Sequence, residues 1–80
     1  MTPILIDATW AGGYRVQLRY DNGLQAVVDL ESELWGEVFE PLKDVARFRA
    51  FRLDPELQTI VWPNGADLAP EFLYELASAA

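Results

Sequence analysis

Carboxylates dominate the side chains of this sequence that are able to do chemistry. The 80 residues include 13 Asp or Glu but no His and no Cys. The commonest general base and the commonest strong nucleophile are therefore both missing. The serines, Ser32 and Ser78, lie in an acidic stretch and in the tail, and only Lys43 is available as a base. Both serines are expected to be solvated surface residues.

Paired carboxylates are the remaining route to catalysis. Glycoside hydrolysis, for example, needs two of them at a fixed separation across a cleft. A chain of 80 residues rarely folds around so deep a cleft. We therefore expect no catalytic residues and a protein that is not an enzyme, with an enzyme that uses carboxylates alone as an alternative.

Neither a metal site nor a cofactor site is expected. Asp21-Asn22-Gly23 looks like part of a calcium-binding loop, but the remaining ligand positions do not follow. Gly12-Gly13 precede a predicted strand rather than a helix, and no Lys-Ser or Lys-Thr pair follows them, as a phosphate-binding loop requires. Without cysteine there is neither a thiolate metal site nor a disulfide framework.

Charge is unevenly distributed along this chain, whose net charge is −7. Residues 29–40 contain five acidic and no basic side chains, whereas residues 43–52 contain four basic side chains and Asp44 as the one acidic residue. Trp35 lies beside Gly36 inside the acidic stretch, which makes it a candidate for exposure. Interface hot spots favour Trp with charges at the rim. The candidate interaction patch therefore comprises Glu31, Glu33, Trp35, Glu37 and Glu40.

Two interpretations of this charge pattern stay open. The first is two solvated faces without a function, and the second is a dipolar surface that docks a partner by electrostatic complementarity. A negative chain opposes a DNA backbone, so direct nucleic-acid binding is not expected. The expected partner is a small basic protein, and the expected oligomeric state is a monomer or a weak homodimer.

No apolar run approaches the ~20 residues of a membrane span, and a small domain without disulfides favours the cytoplasm.

Residues 3–29 are predicted to form strands. Ile4, Ile6 and Ala8 show a weak period of two, whereas the alternation of apolar and polar residues over 14–20 is the clearest half-buried strand. Asn22 and Gly23 then give the strongest short-range hairpin signal, with 24–29 as the returning strand.

The rest of the chain is predicted to mix short helices with a second hairpin. A helix or turn is expected near 31–35 and a short helix near 41–48, with Pro41 in its first turn. Strands at 49–54 and 58–62 flank a turn at Asp54-Pro55-Glu56. Trp62, predicted to be in the core, ends the last strand at Pro63, the chain reverses at Asn64-Gly65, and Asp67 is the predicted cap of a final helix if that helix starts early. The expected range of that helix is from about Leu68 or Pro70 to Ala77.

These elements predict a single α+β domain over residues 1–80. We expect a small, mainly antiparallel sheet of about five strands in two hairpins, with two or three short helices packed on one face. The segment 30–48 is long enough for a crossover, which leaves one parallel strand pair possible.

The order of these motifs resembles the bacterial domain of unknown function family 2442. The resemblance covers nearly the whole chain and is carried by Tyr20-Asp21-Asn22-Gly23, Val28-Asp29-Leu30, the run from Gly36 to Leu42, Phe48, and the run from Thr59 to Leu68 with Pro70-Glu71-Phe72-Leu73-Tyr74. It implies a small α+β fold and no established activity. Some relatives carry a helix-turn-helix domain after this one, and others are encoded beside a partner in an arrangement like toxin and antitoxin.

Composition and resemblance together predict a protein-interaction module. The expected role is that of an accessory or antitoxin-like partner of a small basic protein. The alternative from another class is a sensory or oligomerisation domain related to the N-terminal part of helix-turn-helix regulators.

Overall fold

A three-stranded antiparallel sheet forms from the first part of the chain. In the computed structural model, which describes residues 3–80, β1 spans Leu5–Trp10, β2 spans Arg15–Tyr20 and β3 spans Gln25–Asp29. The strand order is β1-β2-β3, so β2 is central and the other two strands are edges. The sheet therefore consists of two consecutive hairpins, the second being the predicted one at Asn22-Gly23.

One face of this sheet is buried. Val16, Leu18 and Tyr20 of β2 point into the core, as their alternation predicts, and Val28 of β3 joins them. In β1 the buried positions are Leu5 and, in part, Ala8, which an uninterrupted period of two would put on opposite faces. The register shifts between Leu5 and Asp7, so the extra residue is a bulge. This bulge explains why the period of β1 is weak in the sequence.

The two Asn-Gly turns of the chain share one geometry. In the first, Gly23 has a φ of 91° and donates its N–H to Tyr20 O at 3.1 Å, while Asn22 Oδ1 accepts the N–H of Leu24 at 3.0 Å. The turn after Trp62 repeats this pattern, since Gly65 has a φ of 90° and donates to Trp62 O at 3.0 Å. Both glycines occupy the left-handed region that residues with a Cβ rarely adopt.

The side-chain amides of the same two asparagines fasten the turns to distant elements. Asn22 Nδ2 donates to the hydroxyl of Tyr74 at 3.0 Å, and Asn64 Nδ2 donates to Val38 O at 2.8 Å. Each asparagine thus uses its oxygen inside the turn and its nitrogen outside it.

Short helical segments connect the two sheets. Glu31–Glu33 and Glu40–Lys43 are 3₁₀ turns, and α1 spans Val45–Phe48. The single helix predicted near 41–48 is therefore split at Asp44, whose extended backbone ends the 3₁₀ turn. Its side chain accepts the N–H of Ala46 at 3.1 Å and caps α1.

A second, smaller sheet consists of β4 (Arg52–Asp54) and β5 (Thr59–Val61), paired antiparallel. All three residues of β5 are buried. Asp54 Oδ1 accepts the N–H of Glu56 at 2.9 Å, which holds the predicted turn at Pro55. After the Asn64-Gly65 turn the chain runs back beside β5, where Asp67 forms an isolated bridge with Val61.

The last helix, α2, spans Pro70–Ala79. Its N-cap residue is Ala69, and no side chain caps it, so the early start on which capping by Asp67 depended does not occur. The helix starts too late for such a cap because Leu68 and Ala69 continue the extended path from the bridge. Proline at the first helical position suits this start, since its missing N–H would have no partner there.

The last helix contacts the buried face of the three-stranded sheet, where Tyr20 of β2 meets Tyr74 of α2 edge-on with ring centroids 4.9 Å apart. Phe48 of α1 contacts Tyr14, the residue before β2, with ring centroids 5.5 Å apart. The α+β class is confirmed, and the five strands of residues 3–80 form two antiparallel sheets, each containing a hairpin, instead of the one expected sheet. All strand pairs within residues 3–80 are antiparallel, so the possible parallel pair does not form there.

Candidate interaction surface

The first turn of residues 31–40, a segment here called the acidic loop, is held by two buried leucines. Leu30 and Leu34 lie in the core on either side of the first 3₁₀ turn. Asp29 Oδ1 accepts the N–H of Glu31 at 2.9 Å and fixes the start of that turn. The apolar anchors point inward, so Glu31 is left exposed and Glu33 partly exposed on the outside.

Trp35 is the most exposed large apolar side chain among residues 3–80, with 72% of its surface accessible. Gly36 follows it with a φ of 89°, and Glu40 closes the loop by donating its N–H to Gly36 O at 2.8 Å. Val38, itself 45% exposed, is tied through its carbonyl to Asn64. Three backbone constraints therefore present Trp35 outward, as the sequence predicts for its exposure.

Negative charge on the acidic loop is mostly unbalanced. Glu40 forms an ion pair with Lys43, with Oε1 and Nζ 3.2 Å apart. Within residues 3–80, the ion pairs do not include Glu31, Glu33 or Glu37. The patch predicted from sequence is thus an exposed indole on a loop with three unpaired carboxylates.

The basic segment 43–52 is different, because its side chains have local partners. Besides the Lys43 pair, Arg47 lies 3.9 Å from Asp44 and Arg52 lies 3.8 Å from Asp54. The guanidinium of Arg49 stacks 4.1 Å from the centre of the Trp10 ring. Exposed pairs like these add little stability, but they place an opposite charge or a π face beside each cation. The acidic loop is therefore the charged region with the greater imbalance.

A shallow apolar groove of about 370 Å³ adjoins the acidic loop. It is lined by Pro41, Leu42, Arg47, Ala50, Pro63 and Asn64. Its two walls come from segments more than 10 residues apart, and the Asn64–Val38 hydrogen bond joins one wall to the loop. The sequence did not predict this groove. The local feature that accompanies it is a proline in each of the two segments, Pro41 and Pro63.

Trp62 belongs to the core and not to the surface. It is 3% exposed, and its indole N–H donates to Phe48 O at 2.7 Å. The rings of Phe39, Phe48 and Phe51 surround it with centroid distances of 6.0, 5.9 and 6.2 Å. The neighbouring residues Pro63, Asn64 and Gly65 are exposed and form the turn described above.

The carboxylates of residues 3–80 are dispersed. No three of them lie close enough together to hold a metal ion in this part of the chain. Asp29, Glu31 and Ser32 line an open surface depression of about 420 Å³. Tyr20 is the titratable group that is clearly perturbed, because burial and, to a lesser extent, the charge of Tyr74 raise its pKa to about 12. That phenol belongs to the sheet–helix contact.

The chain is similar to a known protein family over nearly its whole length. Residues 5–79 match the family described as protein of unknown function DUF2442. The chain belongs to the DUF2442 family. The match spans both sheets, the acidic loop and α2, so all the features above lie within the DUF2442 region.

Neither the curated proteins nor the solved structures include a significant match to this DUF2442 chain. As to membranes, none of the helices within residues 3–80 has the length and apolar character needed to cross a bilayer.

Proposed function

We propose that this DUF2442 protein is a non-enzymatic, cytoplasmic interaction module whose acidic loop docks a small basic protein. The observation that carries the proposal is the 72% exposure of Trp35 on a loop whose Glu31, Glu33 and Glu37 lack ion-pair partners within residues 3–80. An accessory or antitoxin-like role follows if that basic protein is encoded beside this one.

Because the Trp35 indole is exposed, burying it against a partner would contribute hydrophobic free energy to binding. A tryptophan buries about 150–250 Å² when it is enclosed, which corresponds to several kcal/mol at about 25 cal/mol per Å². Gly36, the Glu40–Gly36 hydrogen bond and the Asn64–Val38 hydrogen bond constrain the loop before binding. A constrained loop loses less entropy on docking than a flexible one.

Charge selects the partner in this proposal. Unpaired carboxylates around an apolar anchor attract a basic surface over a distance and speed encounter, while like-charged proteins are repelled. Docking should therefore weaken as salt rises, because exposed charges are screened beyond about 10 Å at 0.1 M ionic strength.

The test begins with the neighbouring reading frame: if it encodes a small basic protein, binding to that protein is measured by calorimetry and stopped-flow kinetics, and a neighbour of another kind would contradict the antitoxin-like role. Trp35→Ala should weaken binding by about tenfold or more, since hot-spot truncation costs about 2 kcal/mol. Trp10→Ala is the matched control, because Trp10 is engaged by Arg49 and Gly13 O and lies outside the loop. Undiminished binding by the Trp35 variant would contradict the proposal.

A second pair of variants isolates charge. The triple change of Glu31, Glu33 and Glu37 to Gln should lower the association rate and flatten its salt dependence. The same triple change at Glu56, Glu71 and Glu75, which are exposed elsewhere, removes equal charge and should leave binding intact. Equal effects of both triples would mean that net charge alone, and not this loop, attracts the partner. Turnover of a small molecule that a single acidic substitution abolishes would favour the carboxylate enzyme instead.

A further inference from the structure

The outer edge of β3 presents unpaired backbone groups. Tyr20 donates its N–H to Leu24 O, and Leu30 donates its N–H to Tyr14 O, both at 2.9 Å. These two bonds establish which residues of β3 direct their backbone groups toward β2 and which direct them away. In an antiparallel pair every second residue turns its N–H and C=O away from its partner strand. Here those residues are Gln25, Val27 and Asp29, and their outward backbone groups make no backbone hydrogen bond within residues 3–80.

The two edges of the sheet differ in the regularity of their backbone. β4 contacts β1 and α2 contacts β3, but β1 contains the bulge between Leu5 and Asp7. Bulges, lysines and prolines are the usual means of preventing edge-to-edge pairing. The register of β3 runs without a bulge, the strand Gln25–Asp29 contains neither lysine nor proline, and its central Val27 is 45% exposed.

We propose that a second copy of this chain pairs with this edge, β3 against β3 and antiparallel, about a two-fold axis through Val27. The axis places Val27 opposite its own counterpart and Gln25 opposite Asp29 of the second copy. The result is a continuous six-stranded sheet. This inference does not depend on the proposed docking role of the acidic loop.

Side-chain chemistry matches this register. Arg15 lies opposite Asp29, and Arg19 lies opposite Gln25, on the exposed face of the β2–β3 pair. Across the axis, the Asp29 carboxylate of one copy lies opposite the Gln25 amide of the other. These two side chains form a row of four with Arg15 of the first copy at one end and Arg19 of the second copy at the other. Donors and acceptors therefore alternate along the row, and no like charges face each other directly.

A second copy also fits better than a basic partner at this edge. Asp29 is the single charged residue of β3, and it already has Arg15 beside it. The contact between two five-residue strands is smaller than the about 1,200–2,000 Å² of stable complexes. The dimer should accordingly be weak and should form only as concentration rises.

The first test is sedimentation equilibrium over a wide concentration range. The wild-type chain should shift from the mass of one copy to that of two. Val27→Lys places two ammonium groups face to face and should weaken association by about tenfold or more. Thr9→Lys is the matched control because Thr9 is an exposed β-branched residue on β1 of the same sheet, away from the β3 edge. It should dimerise like the wild type.

The second test uses the two-fold symmetry of the proposed dimer, which places residue 27 of one copy opposite residue 27 of the other. Val27→Lys and Val27→Glu should each remain monomeric, whereas an equal mixture of the two should form a heterodimer at the wild-type concentration or below. This recovery occurs only if residue 27 faces residue 27 of the other copy. Hydrogen exchange should show, in the wild-type dimer, added protection at the amides of Val27 and its outward neighbours compared with the monomer.

Four results would overturn the proposal: a wild-type chain that stays monomeric at every concentration, a Val27→Lys variant that dimerises like the wild type, a Thr9→Lys variant that fails to dimerise, or a mixture that does not associate. Trp35→Ala should leave the dimer intact. Loss of partner binding with an intact dimer, or the reverse, separates this inference from the role of the acidic loop.

Discussion

Replacing Trp62 with phenylalanine and with alanine separates the two ways in which this side chain stabilises the fold. The indole is 3% exposed, contacts three aromatic rings, and donates its N–H to Phe48 O at 2.7 Å. Phenylalanine keeps most of the ring contact but leaves that buried carbonyl without its donor. The expected loss is about 1–3 kcal/mol, the cost of an unsatisfied buried polar group, plus a smaller term for lost volume.

Alanine removes both contributions. Truncation of a buried tryptophan costs about 3–5 kcal/mol in transfer and cavity terms. The total stability of small domains is about 5–15 kcal/mol, so the alanine variant should be close to unfolding. Urea titration followed by far-ultraviolet circular dichroism gives the free energy of unfolding without relying on the deleted fluorophore.

Two results would contradict these expected losses of stability. A loss below about 1 kcal/mol for alanine would mean that the ring lies outside the core. Equal losses for phenylalanine and alanine would mean that the hydrogen bond accounts for the whole effect and that the three ring contacts contribute nothing. Trp10→Phe serves as the control for the substitution itself, because that indole is partly exposed.

Two further predictions concern the backbone and the buried phenol. Gly23→Val should lower the free energy of unfolding by about 1–3 kcal/mol through strain at a φ of 91°, and since a Cβ there meets nothing within 4 Å, an unchanged melting temperature would contradict the turn geometry. The folded chain holds the Tyr20 proton up to a pKa of about 12, whereas the unfolded chain releases it near its ordinary value of 10.0. The wild type should therefore lose stability relative to Tyr20→Phe as pH rises from about 10 to about 12, by at most about 2 kcal/mol, because the difference between the two pKa values is only partly expressed over that interval. A stability difference that stays constant over that range, measured by urea titration of both proteins, would contradict this assignment.

The features that sequence predicted well are those specified within a few residues. The hairpin at Asn22-Gly23 follows from a period of two on β2 and from a glycine that accepts a positive φ. Burial of Trp62 follows from its place at the end of an apolar run, directly before a proline. Exposure of Trp35 follows from its glycine and carboxylate neighbours.

The features that sequence did not predict depend on distant segments. β4 and β5 have three residues each, which is too short for a pattern to show whether they join the first sheet or pair separately. The groove beside the acidic loop needs residues near Pro41 and Pro63 to come together in space. The local neutralisation of the basic segment likewise depends on rotamers and on Trp10, which no charge count reveals.

The repeated Asn-Gly turn has a consequence for how this protein ages. Asparagine before glycine is the sequence most prone to deamidate, through attack of the glycine nitrogen on the side-chain amide carbon. In both turns that nitrogen donates to the carbonyl three residues earlier, and the amide is held by two further contacts. Cyclisation to the succinimide must break these bonds, so isoaspartate should accumulate at Asn22 and Asn64 only as fast as each turn opens.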